Sequence, residues 1–232
     1  MMHQSINRKK IYFYLLILLF LSTSFNFNLL KGFREISIIN KININGLDKH
    51  EEKLVKEKLE IILNVNSFFL NKKIILKNLN QFNFLDSVTV QKILPSEINV
   101  NLIKTTFTGR TIIDGEKYYI GKNGKLTNVK QVNNKDNLPL VFGKFEAKDF
   151  LKLQNILKKK KINLDKINKY FYYRNKRWDI QNKDGLTVML PSKNLNESID
   201  IYKKLIESRD LNRIKIVDLR IPKQIILTSE KK

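Results

Sequence analysis

The sequence predicts an α+β protein: an N-terminal transmembrane helix, a small β-α-α-β-β domain, then a β-rich domain with flanking helices. Three observations carry this. Ile11–Leu30 holds no charged residue, over a length sufficient to cross the hydrocarbon core of a bilayer as a helix. Residues 36–104 alternate strand and helix periodicities in the order β-α-α-β-β. From residue 107 onward, Asp114-Gly115, Asn123-Gly124 and Asp184-Gly185 separate short apolar runs, and such pairs favour tight hairpins because both residues tolerate positive φ.

The first half of the apolar stretch, Ile11–Leu21, is wholly aliphatic or aromatic. Its second half is weaker, carrying Ser22, Thr23, Ser24, Asn26 and Asn28, which a helix tolerates near an interface because its backbone is already satisfied. Arg8, Lys9 and Lys10 precede it, while Lys31, Arg34 and Glu35 follow. The positive excess therefore lies on the N-terminal side, which places residues 1–10 in the cytoplasm, 11–30 in the membrane and the remainder across it. A cleaved signal peptide with Ile11–Leu21 as its apolar region is the alternative. A small-x-small cleavage site is poorly supplied, Ser22-Thr23-Ser24 being the nearest and bulky Phe25 following. Under either reading the bulk of the chain is exported.

The formal net charge of the 232 residues is +22, which invites a nucleic-acid reading. The lysines are instead dispersed along the chain with abundant Asn and Ile. The densest run, Lys158–Lys161, falls at the end of a predicted helix, where cations complement the macrodipole. No nucleic-acid motif is present, so no nucleic-acid partner is expected; anionic lipid or polymer near the membrane suits the charge better. The absence of cysteine excludes disulfides, thiolate catalysis and Cys-based metal sites. His3 and His50 would lie on opposite sides of the membrane, so they cannot share a metal. No cofactor and no metal are expected.

In the first exported domain, residues 36–104, Ile36, Ile38, Ile42 and Ile44 read as a strand ending at Asn45-Gly46. Asp48 followed three residues later by Glu51 has capping-box spacing. The helix beyond it puts Val55, Leu59 and Ile62 on one face. A second helix opens near Asn71 and buries Ile75, Leu79 and Phe82 at i, i+4, i+7 spacing. Val88 and Val90, then Ile98, Val100 and Leu102, alternate with polar residues across a turn at Leu94-Pro95-Ser96-Glu97, giving a hairpin with one buried face. With "ININGLDKHEE" opening it and "LDSVTVQKILPSEINVNLI" closing it, this domain resembles a POTRA domain, and "ILPSEINV" is the most specific part of the likeness. The resemblance implies a non-catalytic docking module.

In the second exported domain, residues 107–228, Thr111–Ile113, Tyr118–Ile120 and Lys125–Val129 read as hairpin strands, and Leu138–Gly143 as a short buried segment. A helix with Phe150, Leu153 and Leu157 on one face follows. Tyr170–Arg174, Arg177–Gln181 and Leu186–Leu190 read as three strands. Trp178 and Ile180 point to the core, and Arg177, Asp179 and Gln181 point to solvent. Asn194 and Glu197 repeat the capping-box spacing before a helix that buries Leu195, Ile199, Tyr202 and Ile206. At the end, Val217, Leu219 and Ile221 share one strand face and Ile216 and Asp218 the other, before a last strand at Lys223–Leu227.

The order of these pieces resembles the FtsQ/DivIB family of bacterial division proteins. The matching stretches are "YYIGKNGKL", "LPLVFG", "KRWDIQNKDGLTVMLP" and "IVDLRIPKQIIL", behind the N-in anchor and the POTRA-like module. Ile103-Lys104-Thr105-Thr106 stand where the family has a Glu-Arg and a Pro, so the interdomain linkage departs from its pattern. The resemblance implies a membrane-anchored scaffold at the division site that binds FtsB- and FtsL-type partners. The segment after Asp218-Leu219-Arg220 would receive them, placing the contact at Arg220, Ile221, Lys223, Gln224, Ile225, Ile226 and Leu227, with Arg177 a lesser candidate. An uncovered final strand offers unpaired N–H and C=O groups to such a partner. Catalysis is not expected: Asp184 belongs to a turn, Asp179 to the solvent side of a strand, and Asp218, on the same strand face as Arg220, to a structural ion pair or a cross-strand partner. The rival function is a POTRA-bearing secretion or outer-membrane assembly component. Such proteins carry POTRA modules in series or ahead of a barrel, and neither is read here.

Overall fold

A computed structural model of the chain describes residues 8–24, 32, 35–134, 137–208, 211 and 213–229. Helix α1, Arg8–Ser24, contains the apolar run, and its side chains from Ile11 to Leu21 are exposed on every side. No helix among the described residues is long and apolar enough to cross a membrane. The rest of the expected span, Phe25–Leu30, lies outside the described residues, as do residues 1–7 of the expected tail.

The first module runs β1 (Lys41–Asn45), α2 (Lys49–Leu59), α3 (Lys72–Leu79), β2 (Leu85–Ile93) and β3 (Glu97–Lys104). Its described strands lie in the order β1-β3-β2, with β1 parallel and β2 antiparallel to the central β3. Alternation explains which face is buried. Ile98, Val100 and Leu102 turn inward from β3 onto Val55 and Leu59 of α2, Ile75 and Leu79 of α3, and Ile62 and Phe82 beyond the helix ends. Two expectations change. Ile36 and Ile38 are not in β1. The segment they occupy pairs with residues 64–67 instead, through Ile39 N–H to Val65 O (2.9 Å) and Ser67 N–H to Ser37 O (2.7 Å). Asp48 does precede α2 in extended conformation, but its side chain makes no capping bond. Glu51 is fully buried and turned elsewhere.

The second module contains β4 (Phe107–Ile113), β5 (Glu116–Gly121), β6 (Leu126–Asn128), β7 (Leu140–Phe142), α4 (Ala147–Lys159), β8 (Ile167–Tyr172), β9 (Trp178–Asn182), β10 (Thr187–Met189), α5 (Leu195–Ser208), β11 (Ile214–Asp218) and β12 (Ile226–Ser229). These described strands form one sheet in the order β12-β11-β10-β9-β8-β7-β4-β5-β6. Register puts Val141, Tyr170, Ile180, Val188, Val217 and Leu227 in one row across β7 to β12, and all of them join the core with Phe150, Leu153 and Leu157 of α4 and Ile199, Tyr202 and Leu205 of α5. Ile206, expected inside, is exposed. The buried stripe of α5 steps three residues from Tyr202 to Leu205 rather than four. Trp178 is buried against Phe145, Phe150 and Tyr172.

Only Thr105 and Thr106 separate β3 from β4, and both are tied down. Thr105 N–H donates to Phe84 O (2.8 Å) and Lys122 N–H to Thr106 O (2.9 Å). Asn123 Nδ2 donates to the carbonyls of Asn83 (2.9 Å) and Leu85 (3.1 Å), and Asn83 Nδ2 to that of Leu126 (2.8 Å). Glu51 Oε1 accepts from Lys104 Nζ and from the Asn133 N–H (3.2 Å). Phe107 of β4 and Val132 are buried in the core of the first module, and Tyr119 and Leu138 pack against it. Phe107→Ala is therefore expected to cost about 3–5 kcal/mol in urea denaturation. It should also speed amide exchange in α2 of the first module and in β5 of the second; acceleration confined to β4 and β5 would contradict a shared core.

Candidate functional site

The side of the sheet away from α4 and α5 carries a second row: Phe142, Phe171, Asp179, Met189, Asp218 and Ile226, each opposite the next in register. Asp179 and Asp218 thus flank Met189 from two strands that are not neighbours, about 10 Å apart by two interstrand spacings. Each carries its own arginine two residues along the chain. Arg177 donates through Nε (3.1 Å) and Nη2 (3.3 Å) to Asp179, and its guanidinium lies 4.1 Å over the Tyr173 ring. Arg220 donates through Nε (2.8 Å) and Nη2 (2.6 Å) to Asp218, whose Oδ1 also accepts the Arg220 backbone N–H (3.0 Å). The i,i+2 spacing makes both forks possible, because strand residues two apart share a face.

Asp179 was expected on the solvent side of its strand. It is buried instead, because β9 is an interior strand and Arg177, with Tyr173 beneath it, closes over the carboxylate. Burial pushes its carboxyl above the usual range, opposed by Arg177. Asp218 behaves in the opposite way: its hydrogen bonds to Arg220 hold it below that range. Each arginine also acts on the other's acid, so the four groups form one electrostatic cluster. A cluster of permanently charged guanidinium groups clasping both carboxylates leaves no free acid–base pair; what it presents outward is arginine. The Arg177 side chain is 17% exposed and that of Arg220 44%, so Arg220 is the accessible one. Among the described residues, no group of three or more His, Cys, Asp or Glu is placed to hold a metal.

Beyond Arg220 the chain reverses. Ile221, Pro222 and Lys223 form the turn, with Lys223 at φ 62° and Gln224 N–H donating to Ile221 O (3.2 Å). Lys223, Gln224 and Ile225, expected within the last strand, precede it. β12 begins at Ile226, because the reversal needed to run antiparallel to β11 consumes those residues. Ile226 and Leu227 lie in β12, the former outward and the latter toward the core. Among the described residues β12 pairs with β11 alone, so its other side is a sheet edge. Beside that edge, Ile225 and Leu227 face Ile201, Lys204, Leu205 and Ser208 of α5 across a groove. Sequence reasoning missed this groove and Tyr173. The arginine–aspartate spacing was visible, whereas the approach of α5 to β12 has no local signal.

The two carboxylates should titrate apart. Carbonyl-detected NMR is expected to place the Asp218 midpoint below, and that of Asp179 above, the ordinary aspartate value. The linked stabilities have opposite signs. Asp218, depressed in the fold, contributes stability above its unfolded pKa that is lost as pH falls through its native one. Asp179, raised in the fold, contributes stability at low pH that is lost as pH rises through its native pKa. Coincident midpoints would rule out the cluster as drawn.

Two domain families match the chain in tandem: the POTRA domain of FtsQ type over residues 37–103, and the C-terminal domain of the cell division protein FtsQ/DivIB over residues 111–220. β12 follows the last matched residue. Among curated proteins, the cell division protein DivIB of Macrococcus caseolyticus (strain JCSC5402) is 28% identical over 127 residues, which is 54% of this chain and 42% of the relative. The chain thus aligns with less than half the length of that relative. A POTRA module joined through a two-residue connection to the sheet that follows, the two matching the FtsQ-type POTRA and the FtsQ/DivIB C-terminal families over residues 37–103 and 111–220, identifies the chain as a member of the FtsQ/DivIB cell-division family.

Proposed function

We propose that this protein is a non-enzymatic, single-pass scaffold of the bacterial division machinery. In this reading Ile11–Leu30 is its inner-membrane anchor, residues 1–10 are cytoplasmic and the two modules are periplasmic at the division site. A helix whose apolar side chains are exposed on every side fits a lipid environment better than an aqueous one. The free side of β12 carries the proposal: it receives a strand from an FtsB-type partner, with FtsL in the same assembly. Main-chain hydrogen bonds would supply affinity and neighbouring side chains specificity. The groove between α5 and Ile225–Leu227 suits an apolar side chain of that partner. Arg220, whose Nη1 remains available beyond its contacts to Asp218, suits an acidic one. Arg177, clasped between Asp179 and Tyr173, is the lesser contact.

Successive N–H groups along a strand point to opposite sides. Of Ile226→Pro and Leu227→Pro, one therefore breaks the ladder to β11 and the other removes only an outward donor. The variant that keeps the parental thermal melt is expected to bind the periplasmic segment of the cell's own FtsB-type protein at least about tenfold more weakly, roughly 1.4 kcal/mol. Undiminished affinity in that folded variant would rule out strand addition at β12.

A further inference from the structure

The first module is a strut with two distinct ends. At one end, Glu51 and Lys104, Leu85 and Thr105 meet the second module. The opposite end gathers the turn between β2 and β3, residues 65–70 after α2, and the incoming chain at 36–40. These three segments are knitted together. Ser67 N–H donates to Ser37 O (2.7 Å), Ser67 Oγ to Pro95 O (2.5 Å), Asn40 N–H to Ser96 O (3.1 Å) and Lys92 Nζ to Ser67 O (2.6 Å). β2 alone, nine residues long, separates the two ends by about 30 Å.

Among the described residues this far tip is apolar and uncovered. Phe69 is 86% exposed, Ile36 61%, Leu94 56% and Phe68 54%. Burying one phenylalanine is worth about 1.5–3 kcal/mol, so two adjacent ones left in water represent a forgone gain. Their exposure does not come from a slack loop. Their neighbours Ser67 and Leu70 are both buried, Phe68 N–H donates to Asn66 Oδ1 (3.0 Å), Leu70 N–H to Asn66 O (3.0 Å), and Asn71 caps α3. The turn thus holds both rings outward. Exposed Lys72 and Lys73 follow immediately, and Lys92 lies beneath. Phenylalanine and leucine beside lysines are the composition of a surface that lies in a membrane interface, with the apolar side chains at the boundary of headgroups and acyl chains and the ammonium groups among phosphates.

The position of the tip names its occupant. Among the described residues, the chain coming from α1 is bonded into this end and not the other. With the anchor ending at Leu30, as proposed above, the five residue steps to Glu35 span at most about 18 Å, less than the separation of the two ends. If α1 opens a membrane anchor, as proposed above, the apolar tip is the part of the exported protein held nearest the bilayer. We propose that the tip formed by Ile36, Phe68, Phe69 and Leu94 docks into the phospholipid surface, with Lys72 and Lys73 meeting lipid phosphates. The inference rests on the anchor reading and adds a second, peripheral membrane contact to it.

Because the chain contains no cysteine, single labelling sites are available. Phe69→Cys, Leu16→Cys and Asp184→Cys, each carrying a fluorophore on the full chain, are reconstituted into phosphatidylethanolamine–phosphatidylglycerol vesicles with and without lipids bearing a nitroxide near the headgroup. Quenching of about twofold or more is expected at positions 16 and 69, and none at 184. Quenching at 16 without quenching at 69 overturns tip docking while leaving the anchor intact, and is the result if the patch serves a protein partner instead. No quenching at 16 overturns the anchor and this inference with it. With the label at Leu94→Cys, adding Phe68→Ser and Phe69→Ser should reduce quenching to the level seen at 184; retained quenching would show that the two rings are not the docking element.

Discussion

The strict alternation of side chains from β7 to β12 is the constraint on which the rest of the structure depends. It sends Val188, Val217 and Leu227 to the helices and Asp179, Met189 and Asp218 to the opposite face. A slip of one residue in β11 would drive Asp218 into an aliphatic core and turn Val217 to the arginines, so hydrophobic burial and charge pairing enforce the same register. The position of β12 follows from this. Leu227 is held by the core, Ile226 is turned outward, and the strand stays on β11 with its far side unpaired among the described residues. Every functional feature proposed for this edge is a consequence of where that alternation stops.

A second constraint fixes how the modules meet. Burying a carboxylate costs several kcal/mol unless it is well paired, and Glu51 is buried where the two modules join, against Lys104 and the Asn133 N–H. Its Oε2 has no partner among the described residues. An apolar pair would have served adhesion as well, so the charged contact is better understood as fixing orientation. Phe107 and Val132, packed in the neighbouring core, supply the adhesion. Between them they turn a two-residue connection into a stiff joint.

Local periodicity made the helices and most strands legible in the sequence. Val55, Leu59, Ile75, Leu79, Phe150, Leu153 and Leu157 lie inside, as their spacing requires. Where local pattern misled, a distant contact had prevailed. The Asp48–Glu51 spacing reads as a capping box, but Glu51 finds Lys104 and Asn133 across the fold. The Arg177–Asp179 spacing reads as an exposed pair, but the neighbouring strands close around it. Arg220 and Ile226 could be named from a resemblance, whereas the groove against α5 depends on the separation of two elements in space. The start of β12 was misplaced because a reversal uses residues that carry strand-like side chains.

The order of the sheet has a mechanical corollary. Residues of and just after β6, among them Lys130 and Val132, touch the first module, while β12 closes the opposite border. Eight interstrand steps of about 4.8 Å separate these borders, so a captured strand would sit up to about 38 Å to one side of the strut. On the proposed reading the protein would act as a cantilever, setting a lateral offset between its own footing and whatever it carries, and any rotation at the joint would be magnified at the outer border.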